Sequence, residues 1–210
     1  MVEAMKSRWQ QLLAAHPALL LDGAMGTMLG SAELTAGGEA GLRLGEEPAE
    51  LWNIEWPAQV RAVHRAYAEA GAQVLLTNSF GANRFRLAHF GLADRVAELN
   101  RAAATLARAE AERAPHSVLV AGSIGPSGLV EGERPGLEWA TLHEGFAEQA
   151  AALGESGVDV LWIETMGDLE ELRIAVAAGR STSQLPVVPP LSFDLDGRTL
   201  PGADPEAFHA

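Results

Sequence analysis

The 210-residue chain carries 15 Lys and Arg against 28 Asp and Glu, a formal net charge of −13, and no cysteine. That balance argues against a surface that tracks the phosphates of nucleic acid or of an anionic membrane, because such surfaces concentrate Lys and Arg. The missing cysteines exclude disulfides and thiolate chemistry within these residues and fit a reducing, cytoplasmic compartment. With 48% hydrophobic and 20% charged residues, the chain has enough apolar side chain for one sizeable core and reads as one soluble domain.

From the N-terminus, Lys6 and Arg8 precede the apolar run Ala18–Leu21, which stops at Asp22 and is too short for a signal-peptide core. The longest uncharged stretch, Ala114–Val130, is broken by Pro115, Pro126 and three glycines, so it predicts no membrane helix. Five strands are expected, at Ala18–Leu21, Gln73–Thr77, Val118–Ala121, Asp159–Ile163 and Pro186–Leu191. Between the first two, Pro57 can open a helix with Val60, Val63, Tyr67 and Ala70 on one face, and Gly71 can close it. Further helices are expected over Ala93–Arg113, Trp139–Ser156 and Asp168–Ala178.

Continuous apolar strands alternating with amphipathic helices predict parallel pairing with helices covering the sheet. Glu69–Asn78 and Glu155–Glu164 share one pattern of helix end, glycine stop, buried strand and polar tip, which is the repeat of a βα module. Two closures compete, an open doubly wound sheet and a (β/α)₈ TIM barrel. Leu21 is followed by Asp22-Gly23-Ala24-Met25-Gly26-Thr27-Met28, without the G-x-G-x-x-G spacing of a dinucleotide fold, and no G-x-x-x-x-G-K occurs. A barrel puts its chemistry on the C-terminal strand ends, where Asp22, Thr77, Asn78 and Glu164 fall. We therefore expect an α/β (β/α)₈ barrel, incomplete at about five βα units, since a full barrel takes about 250 residues.

The polar strand tips are the candidate site. Asp22 before Gly23 either faces a ligand, with the glycine admitting close backbone approach, or starts an ordinary turn. Glu164, closing the buried run Val160–Ile163, either holds a substrate ammonium or pairs with a neighbouring strand end. Thr77, Asn78 and Ser79 suit hydrogen bonding to a ligand or capping of the next helix. Gly122–Gly128 offers backbone N–H groups to an anion or is a flexible βα loop, and Gly30–Trp52 is either a lid or disordered.

Other motifs fail. Asp194–Gly197 opens like a calcium loop, but its glycine comes two positions early, so a tight turn is expected. The six histidines have no metal spacing, and no G-x-S-x-G elbow is present.

Taken together, the strand-end motifs resemble the homocysteine S-methyltransferases, the family that includes the homocysteine-binding barrel of cobalamin-dependent methionine synthase. The resemblance rests on Leu20–Met28, Glu69–Ala72, Thr77–Asn83, Ala121–Pro126, Ile163–Thr165 and Asp196–Leu200, in the family's order and at roughly its spacing. It implies a barrel that binds homocysteine and transfers a methyl group to its sulfur, giving methionine, with Asp22, Gly23 and Glu164 at positions that bind the amino-acid part. It also implies a zinc ion that turns the thiol into thiolate, held in the family by an Asn-Cys pair and a Gly-Gly-Cys-Cys-Gly stretch. Neither motif occurs here, so the resemblance makes the chain the N-terminal part of one barrel domain, 1–210, without its zinc ligands. Gly81 after Phe80, where betaine-dependent relatives carry tyrosine, leans toward methyltetrahydrofolate or methylcobalamin as donor, through other domains.

Three readings of function follow. The first is a homocysteine S-methyltransferase whose 210-residue chain alone is inactive. The second is a barrel lyase or aldolase using Asp22 and Glu164 as acid and base. The third is a non-catalytic binding module. Homocysteine is the expected partner, with no nucleic acid and no membrane, and the edges of an unclosed sheet predict self-association.

Overall fold

The computed structural model describes residues 7–30, 47–129, 139–199 and 202–209. Helix α1 (Arg8–Ala15) starts at Ser7, whose hydroxyl accepts the Gln10 N–H while the Gln10 side chain accepts the Ser7 N–H, a reciprocal cap. A short α2 (Met25–Leu29) follows the Asp22 tip. A 3₁₀ turn at Ala49–Leu51 runs into α3 (Trp52–Glu55), and α4 (Pro57–Glu69) opens on Pro57.

The buried face of α4 is Val60, Val63, His64 and Ala68 with half-buried Tyr67, whereas Ala70, expected on that face, is its exposed C-cap. The helix ends at Glu69, one residue before the face would return at Ala70.

Strand β1 (Val74–Leu76) leads through α5 (Arg84–Ala88) and a 3₁₀ turn at Ala93–Arg95 to α6 (Val96–Ala111). Next come β2 (Leu119–Ile124), α7 (Trp139–Glu155), β3 (Val160–Ile163), α8 (Leu169–Thr182), β4 (Val187–Val188) and α9 (Pro205–His209). The four strands pair in parallel in the order β1-β2-β3-β4. Leu21 adds a parallel bridge to Val74, so the order follows the chain without the reversal of a doubly wound sheet. This is the arc of a barrel, each strand joined to the next by a helical crossover.

Two expected strands are shorter than their apolar runs. Ala18–Leu21 contracts to the Leu21 bridge, because the chain bends at Pro17–Ala18 and Leu20 faces solvent at 57% exposure. Pro186–Leu191 contracts to Val187–Val188 and a bridge from Leu191 to Met166, because Pro189 and Pro190 have no N–H to donate to a ladder. Conversely, β2 continues past Ala121 to Ile124.

The pleat sorts the side chains. Leu75, Val120, Leu161 and Ile163 point outward into the main core against the helices, with Phe146 of α7 fully buried among them. Val74, Leu119, Ala121 and Val160 point inward, and Leu12 of α1 packs on them. Trp9 meets Trp162 edge to face at 6.3 Å, and Arg8 pairs with Asp159 at 3.1 Å, so α1 is clamped to the concave side. Glu110 of α6, wholly buried, receives Arg61 at 2.6 Å and Arg65 at 3.0 Å from α4. The βα repeat is visible in the backbone: Gly71 and Gly157, each just after a helix, have φ of +102° and +81°, a conformation that favours glycine. No described helix is long and apolar enough to cross a membrane.

Candidate active site

Parallel strands in sequence order bring every C-terminal tip to one end of the arc, and there a cavity of about 520 Å³ opens. Asp22, Gly23, Thr77, Asn78 and Glu164, separated widely in sequence, all line it. Glu50, Ser123 and Trp162 line it as well. Trp162 was legible from period two, since it lies two residues before Glu164 on the same side of β3. Ser123 pairs with Trp162 in register and so depends on the sheet, and Glu50 comes from the turn before α3, where the sequence carries no signal.

Asp22 is tied by one oxygen only: Oδ2 accepts the Leu76 N–H at 2.9 Å, while Oδ1 is buried and has no partner among the described residues. Burial, helped by the charge of Glu164 and opposed by the Leu76 N–H, pushes its pKa up to about 7. Glu164 is similar. Its Oε1 accepts the Ser123 hydroxyl at 2.6 Å, and burial raises its pKa against that bond. Among the described residues no ion pair holds it, so the neighbouring-strand salt bridge is not formed. The next residue, Thr165, has φ of +59°, a left-handed conformation that a β-branched side chain rarely adopts and that turns the chain sharply away from the tip.

At Gly23 the close neighbour in the structure is the chain's own Tyr67. A Cβ there would stand 2.8 Å from the Tyr67 hydroxyl, which donates to the Ala24 carbonyl at 3.2 Å. Thr77 and Ser79 do not cap a helix; Asn83 caps α5 instead. The Thr77 hydroxyl accepts the Ser123 N–H at 3.0 Å and shares a 2.6 Å bond with Ser79, whose hydroxyl donates to the Ser123 carbonyl at 2.7 Å. These bonds weld the tip of β1 to β2. Asn78 donates its amide to the Ala49 carbonyl at 2.7 Å and to Asn53 at 3.2 Å, which leaves its own Oδ1 as acceptor.

The Gly122–Gly128 stretch is not an anion cradle. Its N–H groups at Ser123, Gly125 and Ser127 are donated to Thr77, the Phe80 carbonyl and Glu171, and Gly122–Ile124 belong to β2. Asp194–Gly197 forms the expected tight turn, closed by Gly197 donating to the Asp194 carbonyl at 3.1 Å. Of the Gly30–Trp52 excursion, residues 31–46 lie outside the described residues. No group of three or more His, Cys, Asp or Glu that could hold a metal occurs among the described residues.

Among the described residues the lining thus offers carboxylates and amide oxygen and no Lys or Arg. Its chemistry suits a cationic, hydrogen-donating group such as an ammonium. Residues 19–210 match the homocysteine S-methyltransferase family. The chain belongs to that family. It is 31% identical over 201 residues to a methionine synthase of Mycobacterium leprae, covering 90% of this chain and 16% of that protein. A methionine synthase of Mycobacterium tuberculosis is 32% identical over 194 residues, covering 87% and 16%. The crystal structure of the Escherichia coli homocysteine methyltransferase MmuM, metallated form, superposes with a TM-score of 0.74 at 27% identity, covering 93% of this chain and 70% of that one. The chain therefore spans about a sixth of the methionine synthases it matches. Its fold is that of the (β/α)₈ barrel of this family, in part.

Proposed function

We propose that the cavity binds homocysteine and that this chain supplies the homocysteine-binding side of a methyl transfer to sulfur, yielding methionine. The observation that carries the reading is the pair Asp22 and Glu164, two half-buried carboxylates facing one cavity whose lining has no cation among the described residues. The ligand ammonium donates to their free oxygens, Asn78 Oδ1 adds an acceptor, and Gly23 leaves room for the amino-acid backbone. Thr77 acts through Ser123, whose position it fixes.

In the transfer, the sulfur forms its new bond to the methyl carbon as the donor's bond to that carbon breaks, and the thiol proton must leave first. A free thiol with a pKa near 8.5 is mostly protonated at neutral pH, so the reaction needs a thiol-activating group. The resemblance supplies zinc for that purpose, but the residues described do not fit a zinc–thiolate site: the chain has no cysteine and the described residues have no metal-holding cluster. We propose that zinc ligands, and methyltetrahydrofolate or methylcobalamin as donor, belong to parts other than these, and that the 210-residue polypeptide does not turn over by itself.

Titration calorimetry with L-homocysteine, with and without zinc, tests the reading. Binding that is lost in Glu164→Gln supports it, and absence of any binding overturns it. The missing cysteines favour one second reading, a non-catalytic binding module, and tight binding of equal strength with and without zinc is its signature. The family assignment sets the lyase or aldolase reading aside.

A further inference from the structure

Three carboxylates line the cavity, and each is anchored in the same way. Asp22 gives one oxygen to the Leu76 N–H, Glu164 gives one to the Ser123 hydroxyl, and Glu50 gives Oε1 to the Gly81 N–H at 2.5 Å. A carboxylate held by one oxygen is fixed in direction while its second oxygen remains an acceptor. Glu50 is only 7% exposed, and its Oε2 has no partner among the described residues. Its position is built into the fold. A Cβ on Gly81 would stand 2.8 Å from Glu50 Oε1 and 3.1 Å from Arg86 Nε, so the carboxylate occupies space that a side chain at 81 would take. The turn that carries it is tied down on either side, by the Ala49 carbonyl accepting from Asn78 and by Asn53 donating to the Asn78 carbonyl at 2.7 Å.

We propose that Glu50 is a further ligand-binding residue of this cavity, its Oε2 accepting from the N–H groups of the ligand's ammonium together with Asp22 and Glu164. The inference rests on the reading of the cavity as a homocysteine site. The second oxygen of Glu50 is left as an acceptor in the cavity lining, and an ammonium supplies three donors. Glu50 also acts as a selector, because only a ligand that carries the ammonium gives its second oxygen a donor.

The test compares L-homocysteine with its des-amino analogue, 4-mercaptobutyrate, by calorimetry on the wild-type chain, Glu50→Gln and Gly81→Ala. Gln keeps the bond to the Gly81 N–H and removes only the charge, so its melting temperature should stay within a degree or two of wild type. The expected result is a loss of about tenfold or more in affinity for homocysteine, with the analogue unaffected, so that the preference between them shrinks. Gly81→Ala, which displaces Glu50, should reproduce that shrinkage. Equal losses for both ligands, or no change for either, overturn the role of Glu50 while leaving the homocysteine site intact. Wild-type protein that binds neither ligand overturns the site itself and this inference with it.

Discussion

The Ser123 hydroxyl donates to Glu164 Oε1 across 2.6 Å, joining the tip of β2 to the tip of β3 at the mouth of the cavity. The bond aims the carboxylate and partly offsets the cost of burying its charge, so Glu164 is poised rather than neutralised. Removing either partner has a distinct signature.

Glu164→Gln keeps an oxygen for Ser123 and removes the charge. Homocysteine affinity should fall by about 1.5–3 kcal/mol, roughly tenfold to more than a hundredfold, the range for hydrogen bonds to charged groups. Ser123→Ala keeps the charge and removes the donor. Affinity should fall less, and its acid limb should move to higher pH because Glu164 holds its proton longer. Calorimetric titrations across pH measure both.

Asp22, with a pKa near 7, is about half protonated at neutral pH, and a docking ammonium favours its charged form. Binding at pH 7 should therefore release up to about half a proton, seen as a dependence of binding enthalpy on the buffer's ionisation enthalpy. Asp22→Asn should abolish the release. In the free protein the same group holds its proton longer when folded than unfolded. Its contribution to stability is full below about 3.9, the ordinary value, and is lost as pH rises toward 7.

His64 contributes in the opposite sense. It is fully buried in α4, both ring nitrogens lack partners among the described residues, and burial, opposed by the Glu110 charge, lowers its pKa to about 4. The unfolded chain takes up a proton near 6.5, so stability is present above that pH and falls by about 3 kcal/mol as pH drops to 4. His64→Leu should flatten the acid limb of a denaturant-midpoint profile. Comparing it with Asp22→Asn separates two slopes that oppose each other over one pH range.

Gly125 tests the wall beside Phe80. A Cβ there would lie 2.6 Å from the Phe80 ring and 2.7 Å from its carbonyl oxygen, so no rotamer change relieves the overlap. Gly125→Ala should cost about 1–3 kcal/mol in thermal unfolding and weaken ligand binding through the shifted Phe80. An unchanged melting temperature would show that the tip yields freely.

The parts legible in sequence are those set by local pattern. Val60 and Val63 at helical spacing after Pro57, the glycine stops at Gly71 and Gly157, and apolar runs ending in Thr77 and Glu164 required no knowledge of neighbours. The ends of the sheet were less legible. Pro189 and Pro190 cut the last strand by removing donors, and the first run lost its pairing at the Pro17 bend.

The sequence by itself determined an alternating βα chain, its acidic polar tips and its family, because periodicity, strand-end polarity and motif order are written along the chain. Only the tertiary structure decided which tips share a cavity and what each can offer there. Parallel register set Ser123 against Glu164, welded Thr77 into the strand ends, turned Asn78 into an acceptor and brought Glu50 from a distant turn onto Gly81. Those roles depend on which donor meets which oxygen, and long-range packing alone assigns such partners.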